Sequence, residues 1–407
     1  MHRLLNLKTA RKEIAMNAAK TKRLLSAIFA FIFCISYLLT PVSAERTDIA
    51  AVSSGVALSL SSASACLMEA STGEVIYEQN ADERLEPASV TKIMPLLLIC
   101  EALDEGTLKP DEMVTGSEHA ASMGGSQIWL EVGEQMSVSD MLKAMTVVSA
   151  NDCTVAMAEH LAGSEEAFVA RMNKRAEELG MANTHFVNAT GLPVEGHYTT
   201  TRDIALMTRE LLKHERIFEY TTIWMDSLRG GAMGLTNTNK LVRFYPGANG
   251  MKTGYTDTAK YCLSATAKRD KLQLIAAVMK APTSEERFSD AKKLLDFGFA
   301  NFSVYETGTA ELPELTVKGG VKPKMPLVCG ANEILVAKGR EKQIEAVIEL
   351  PEFLTAPVNE GEAVGKVLYQ IEGETVAETD ILTAESIRRM NFWDVVKRVL
   401  SDTFVLN

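Results

Sequence analysis

The chain is short of several things. Its 407 residues hold six cysteines, too few and too scattered for a disulfide framework. Its six histidines are His2, His119, His160, His185, His197 and His214, and they form no H-E-x-x-H or H-x-H pattern. A zinc peptidase site therefore has no ligand set, and neither metal nor cofactor is expected. Bases are outnumbered, with 42 Lys and Arg against 53 Asp and Glu, so no broad basic face awaits nucleic acid phosphates. The apolar run at residues 24–39 is shorter than the ~20 residues of a membrane span. There is no internal repeat and no low-complexity segment. What remains is the 46% hydrophobic, 23% charged mix of a globular protein long enough for more than one domain.

The two ends differ from the middle. Lys20, Lys22 and Arg23 precede the apolar run, and Val42-Ser43-Ala44 follows it. Basic start, apolar core and small-residue end are the parts of a secretory signal, so cleavage is expected after Ala44, with Met16 as an alternative start. Removing residues 1–44 leaves 35 bases against 52 acids. At the other end, Ile387, Met390, Trp393, Val396, Leu400 and Phe404 recur in steps of three or four among Arg388, Arg389, Lys397 and Arg398. Residues 385–407 are therefore expected to form an amphipathic helix lying on a membrane surface, the alternative being a helix packed on its own domain.

Between the ends, residues 45–63 read as a Ser/Ala-rich linker. Strands are expected at residues 65–69 and 74–79, helices from 89 to about 212, strands at 261–268 and 272–279, and a helix at 284–299. Terminal strands around a helical middle suggest one α+β domain over residues 64–303 whose first and last strands share a sheet. Short Val-rich runs punctuated by Gly and Pro make residues 304–384 a small all-β domain.

Three short motifs occur in order: Ser89-Val90-Thr91-Lys92, Ser149-Ala150-Asn151 and Lys252-Thr253-Gly254. Each is weak alone. A second Ser-x-x-Lys, Ser289-Asp290-Ala291-Lys292, falls inside the last helix and reads as solvated surface. Each motif also has a bland reading: Ser89 as a helix cap, Asn151-Asp152 as a turn or cap, Lys252 as a surface lysine beside a Gly turn. Together they have a chemical logic. At a helix start Ser89 and Lys92 share one face. A serine hydroxyl needs a base, and a lysine serves only if burial or a neighbouring cation, here Lys252, lowers its pKa. Ser149 can relay a proton, Asn151 can orient a substrate amide, and Lys252 and Thr253 can hold a carboxylate. Gly254 would let a substrate strand pass close to the backbone.

These motifs resemble those of the penicillin-binding proteins and serine β-lactamases, and above all the low-molecular-weight D-alanyl-D-alanine carboxypeptidases. The flanks carry the resemblance too: Leu85-Glu86-Pro87-Ala88, Gly124-Gly125-Ser126-Gln127, Asn188-Ala189-Thr190-Gly191-Leu192-Pro193 and Arg287-Phe288. The resemblance implies an α+β penicillin-binding/β-lactamase-like transpeptidase domain, an antiparallel sheet flanked by helices, then the β domain and the amphipathic helix. It implies Ser89 as nucleophile, Lys92 as base, and Ser149, Asn151 and Lys252 completing proton transfer. Backbone N–H groups of Ser89 and Tyr255 would form the oxyanion hole, with Thr253 and Arg287 receiving the substrate carboxylate. Peptidoglycan stem peptides and β-lactam antibiotics are the implied partners, with an extracytoplasmic, membrane-attached location. One departure is Pro95, which would bend a helix continuing from Ser89. A class A β-lactamase is the rival enzyme, but Glu177-Glu178-Leu179-Gly180 lacks that class's E-x-x-L-N pattern. A non-catalytic envelope scaffold is the remaining alternative.

Overall fold

The computed structural model describes residues 58–308 and 312–404. The expected export signal at 1–44 and most of the linker lie outside the described residues. Strands β1 (Ser64–Glu69) and β2 (Val75–Gln79) form a hairpin. Three more, β3 (Ala248–Thr256), β4 (Lys260–Arg269) and β5 (Leu272–Ala281), follow the helical middle. The order is β2-β1-β5-β4-β3, antiparallel throughout, so the first and last strands do share the sheet.

All six residues of β1 are buried because both faces of the sheet are covered. Strand side chains alternate between faces. Ala65 and Leu67 pack with Phe288, Leu294 and Leu295 of helix α5 (Ser284–Asn301), whereas Cys66 and Met68 pack with Ala205 of α4 (Thr201–Leu211). Helices α1 (Ile93–Asp104), α2 (Val138–Val147) and α3 (Asn151–Ala162) share a separate, larger core.

The sequence pattern missed β3, whose Gly250 and Gly254 dilute a strand signal. The structure also corrects the expectation for Pro95. Residues Ala88–Lys92 form a 3-10 turn, and the α-helix begins only at Ile93. Pro95 therefore sits in the first turn of α1, where its missing N–H has no intrahelical acceptor to lose.

The strands of the second domain run from Phe302–Glu306 to Glu374–Thr383, and they include a four-stranded antiparallel sheet. Its Leu335, with Phe302, joins the core beneath α5 and so fastens this domain to the first. The terminal helix is shorter than the apolar periodicity suggested. Ile387 is buried and bridges Val358, closing a small β core. Helix α6 (Phe392–Phe404) starts after Asn391, whose side chain accepts from the Asp394 N–H while the Asp394 carboxylate accepts from the Asn391 N–H. Phe392, Trp393 and Leu400 are 73%, 69% and 51% exposed. Among the described residues, no helix is long and apolar enough to cross a membrane.

Candidate active site

The three motifs meet where edge strand β3 faces the helical layer. In the 3-10 turn, residues i and i+3 eclipse. Lys92 Nζ accordingly lies 2.9 Å from Ser89 Oγ. Its other partners are Asn151 Oδ1 at 2.6 Å and the Thr190 carbonyl at 2.9 Å. Both can only accept, so each takes an N–H. Ser89 is the one partner of the three able to give a proton back. Lys92 is fully buried, and its pKa lies well below the usual lysine range, through burial first and the Lys252 charge second.

Lys252 is nearly as buried. It donates to Ser149 Oγ at 2.8 Å and to the Thr253 carbonyl at 2.8 Å. Burial, then the charge of Arg287, lowers its pKa to about 7. Ser149 stands just before α3 with φ of 65°, and Ala88 stands beside Ser89 with φ of 49°. Both are left-handed conformations that L-residues adopt at a cost and only under surrounding constraint.

Asn151 does more than face substrate. Its Oδ1 holds Lys92, and its Nδ2 donates to the Gly124 carbonyl at 2.7 Å. Gly254 also has a reason within the protein itself. A Cβ there would come within 2.7 Å of the Pro87 carbonyl and 3.1 Å of the Ser89 nitrogen. The glycine is needed because β3 presses against the Ser89 turn, so the close approach is internal to the protein. Thr253 Oγ1 donates to Thr238 Oγ1 at 2.8 Å. Tyr255 is exposed, stacks on Tyr261 with centroids 4.4 Å apart, and its hydroxyl donates to Asp257.

Arg287 departs most from its expected place as a carboxylate receiver. It is buried behind β3 and donates to the carbonyls of Gly254 at 3.0 Å and Cys262 at 3.4 Å. Burial brings its pKa down to about 10. Its second terminal nitrogen donates to Ser284 Oγ at 3.4 Å, and its buried Nε finds no hydrogen-bond partner among the described residues.

Several contributors were not singled out from sequence. Thr238 shares the Thr253 hydroxyl. Asp152, fully buried, accepts from the N–H groups of Ile128 and Leu130 and so holds the 124–130 loop against α3. Adjacency to Asn151 was the only signal for it. Cys66, Cys100, Cys153 and Cys262 are buried free thiols, and Cys329 is half-buried and free. No cluster of metal-ligating residues occurs among the described residues.

Two buried, depressed-pKa lysines, each bonded to its own serine on a sheet-and-helix scaffold, form a candidate acyl-transfer site. The family described as D-alanyl-D-alanine carboxypeptidase (Peptidase S11) matches residues 50–283, and the C-terminal domain of penicillin-binding protein 5 matches residues 299–389. Similar proteins include the D-alanyl-D-alanine carboxypeptidase DacF of Bacillus subtilis, 42% identical over 94% of this chain and 98% of the relative. DacC of Escherichia coli is 35% identical over 81% of this chain and 86% of its own length. Among solved structures, penicillin-binding protein 5 of Haemophilus influenzae is 31% identical with a TM-score of 0.76, over 82% of this chain and 99% of that one. The chain belongs to the D-alanyl-D-alanine carboxypeptidase family and is a peptidase of that class.

Proposed function

We propose that this chain removes the terminal D-alanine from peptidoglycan stem peptides by serine-type catalysis through an acyl-enzyme on Ser89. The observation that carries this reading is Lys92: buried, 2.9 Å from Ser89, with its other two partners pure acceptors. Its lone pair, once the amine is neutral, is directed at the serine proton. Ser89 Oγ attacks the penultimate D-Ala carbonyl as its proton passes to Lys92. The Ser89 and Tyr255 N–H groups receive the oxyanion. The C–N bond breaks, and the leaving amine takes a proton delivered through Ser149 and Lys252. Water then attacks the ester and restores Ser89. Thr253 and Thr238, with the positive charge of Arg287 behind β3, favour a substrate that ends in a carboxylate.

β-Lactams would acylate the same serine. Penicillin-binding protein D2 of Listeria monocytogenes, 35% identical with a TM-score of 0.55, is solved in an ampicillin-bound form, which supports this. The working place is outside the cytoplasmic membrane: residues 1–44 export the chain, and α6 rests on the outer leaflet through Phe392, Trp393 and Leu400. No nucleic acid partner is involved.

The test is purified protein with a diacetyl-Lys-D-Ala-D-Ala peptide and labelled penicillin. Released D-Ala with a long-lived adduct on Ser89 is expected. Fast penicillin turnover without D-Ala release would point to a β-lactamase, and neither activity would point to a scaffold. Deleting residues 391–407 should leave both readouts intact while lowering sedimentation with anionic vesicles. Unchanged sedimentation would remove the anchor role.

A further inference from the structure

The loop carrying His197 reaches the nucleophile turn from 106 residues away. The Val187 N–H donates to His197 Nδ1 at 3.1 Å. His197 Nε2 lies 2.9 Å from Thr91 Oγ1, and Thr91 Oγ1 donates to the Ala88 carbonyl at 2.8 Å. The two ends of this chain settle its direction. A backbone N–H can only donate and a carbonyl can only accept. Nδ1 is therefore the acceptor, Nε2 carries the hydrogen, and the Thr91 hydroxyl passes the chain on to Ala88. The ring is 4% exposed and packs edge-on to Phe186, so it has one orientation and one tautomer.

Ala88 is the residue this chain ends on, and it is strained, with φ of 49° immediately before Ser89. The carbonyl needs a fixed donor because nothing in the intrinsic preference of alanine holds it there. The same carbonyl is closed in from the other side. A Cβ on Gly191 would come within 1.9 Å of it. Thr91 itself lies between Ser89 and Lys92 in the 3-10 turn.

We propose that His197 is a positioning residue for acylation: acting through Thr91, it holds the Ala88 carbonyl and thereby the turn that aims Ser89 at Lys92. The ring touches neither substrate nor reacting atoms. It acts as a neutral, one-way hydrogen-bond relay, and burial keeps it neutral by lowering its pKa to about 4. This rests on Ser89 being the nucleophile.

The experiment measures the acylation rate constant at saturating penicillin in the full chain, counting Ser89 adduct by mass so that unfolded protein does not enter. His197→Phe keeps the ring volume but has no N–H, and it should acylate about tenfold more slowly. His197→Gln, whose amide N–H can still reach Thr91, should recover most of the rate. Thr91→Val, nearly isosteric, should match His197→Phe. The double variant should lose no more than the worse single one, because both cut one chain. Wild-type acylation by Thr91→Val, or losses that multiply in the double variant, would overturn the proposal, and Thr91→Val decides alone if His197→Phe fails to fold. Absence of a Ser89 adduct in the unmutated chain would instead sink the nucleophile assignment.

Discussion

Two regions of this molecule share the letters Ser-x-x-Lys, and their surroundings differ in nearly every respect. Ser89 and Lys92 sit in a 3-10 turn that eclipses them, and Lys92 is fully buried among Ser89, Asn151 and Thr190. Ser289 and Lys292 sit on the regular helix α5, with Ser289 exposed and Lys292 half-buried. Between them, Asp290 is buried and accepts from the backbone N–H groups of Ser61 and Ser62, both at 2.8 Å. The second copy thus helps to fasten the segment before β1 to α5. A motif of four letters becomes chemistry only where backbone geometry sets the two side chains together and solvent exclusion depresses the lysine.

The sharpest way to break this comparison is to exchange the serines. Ser89→Ala should abolish the penicillin adduct and lower D-Ala release by roughly 10³-fold or more. Ser289→Ala should leave both within about twofold, since its hydroxyl faces solvent. Persistent labelling in the first variant, or lost labelling in the second, would reverse the ranking.

Glycine replacement offers a smaller effect. Gly191 and Gly180 both have positive φ, at 82° and 73°, but only Gly191 lies against the first motif. Gly180→Ala meets no atom within 4 Å and should cost about 1 kcal/mol of conformational strain. Gly191→Ala would drive a methyl into the Ala88 carbonyl and should cost about 2–4 kcal/mol. Urea denaturation of both variants compares them directly, and equal losses would mean that the wall against Ala88 yields easily.

The smallest effect concerns pH. Lys252 titrates at about 7 when folded, against an ordinary value of 10.5. Above pH 7 the unfolded chain therefore binds more protons, and stability rises with pH. Between about pH 7 and 8.5, below the ordinary thiol and tyrosine range, Lys252 should contribute a rise of about 1–2 kcal/mol. Lys252→Met should remove that rise while abolishing activity. An unchanged slope in urea midpoints would show that Lys252 stays protonated in the folded protein across the window.

Much of the candidate site was legible beforehand because its members are side chains of defined chemistry in a fixed order. Ser89, Lys92, Ser149, Asn151 and Lys252 converge as their types suggested. What the sequence left out were contacts the letters do not carry. Gly254 read as room for substrate, and it also makes room for the Ser89 turn. Arg287 read as a carboxylate receiver, yet it first holds the carbonyls of β3 and β4. His197 gave no sign of its reach to Thr91, since a lone histidine in a loop has no periodicity. In the fold, strands with a buried alternation were visible, whereas glycine-diluted β3 was not. The terminal apolar steps overran their helix because Ile387 is periodic with α6 but is spent on a β bridge.

The sequence by itself determined the sheet shared by the first and last strands of the first domain, and the family of chemistry. These follow from local periodicity and from side chains whose functional groups are unmistakable. The tertiary structure alone decided which groups hold Lys92 and why Gly254 and Gly191 must be glycine. Burial, backbone strain and hydrogen-bond direction belong to groups brought together from distant parts of the chain, and no stretch of sequence contains them.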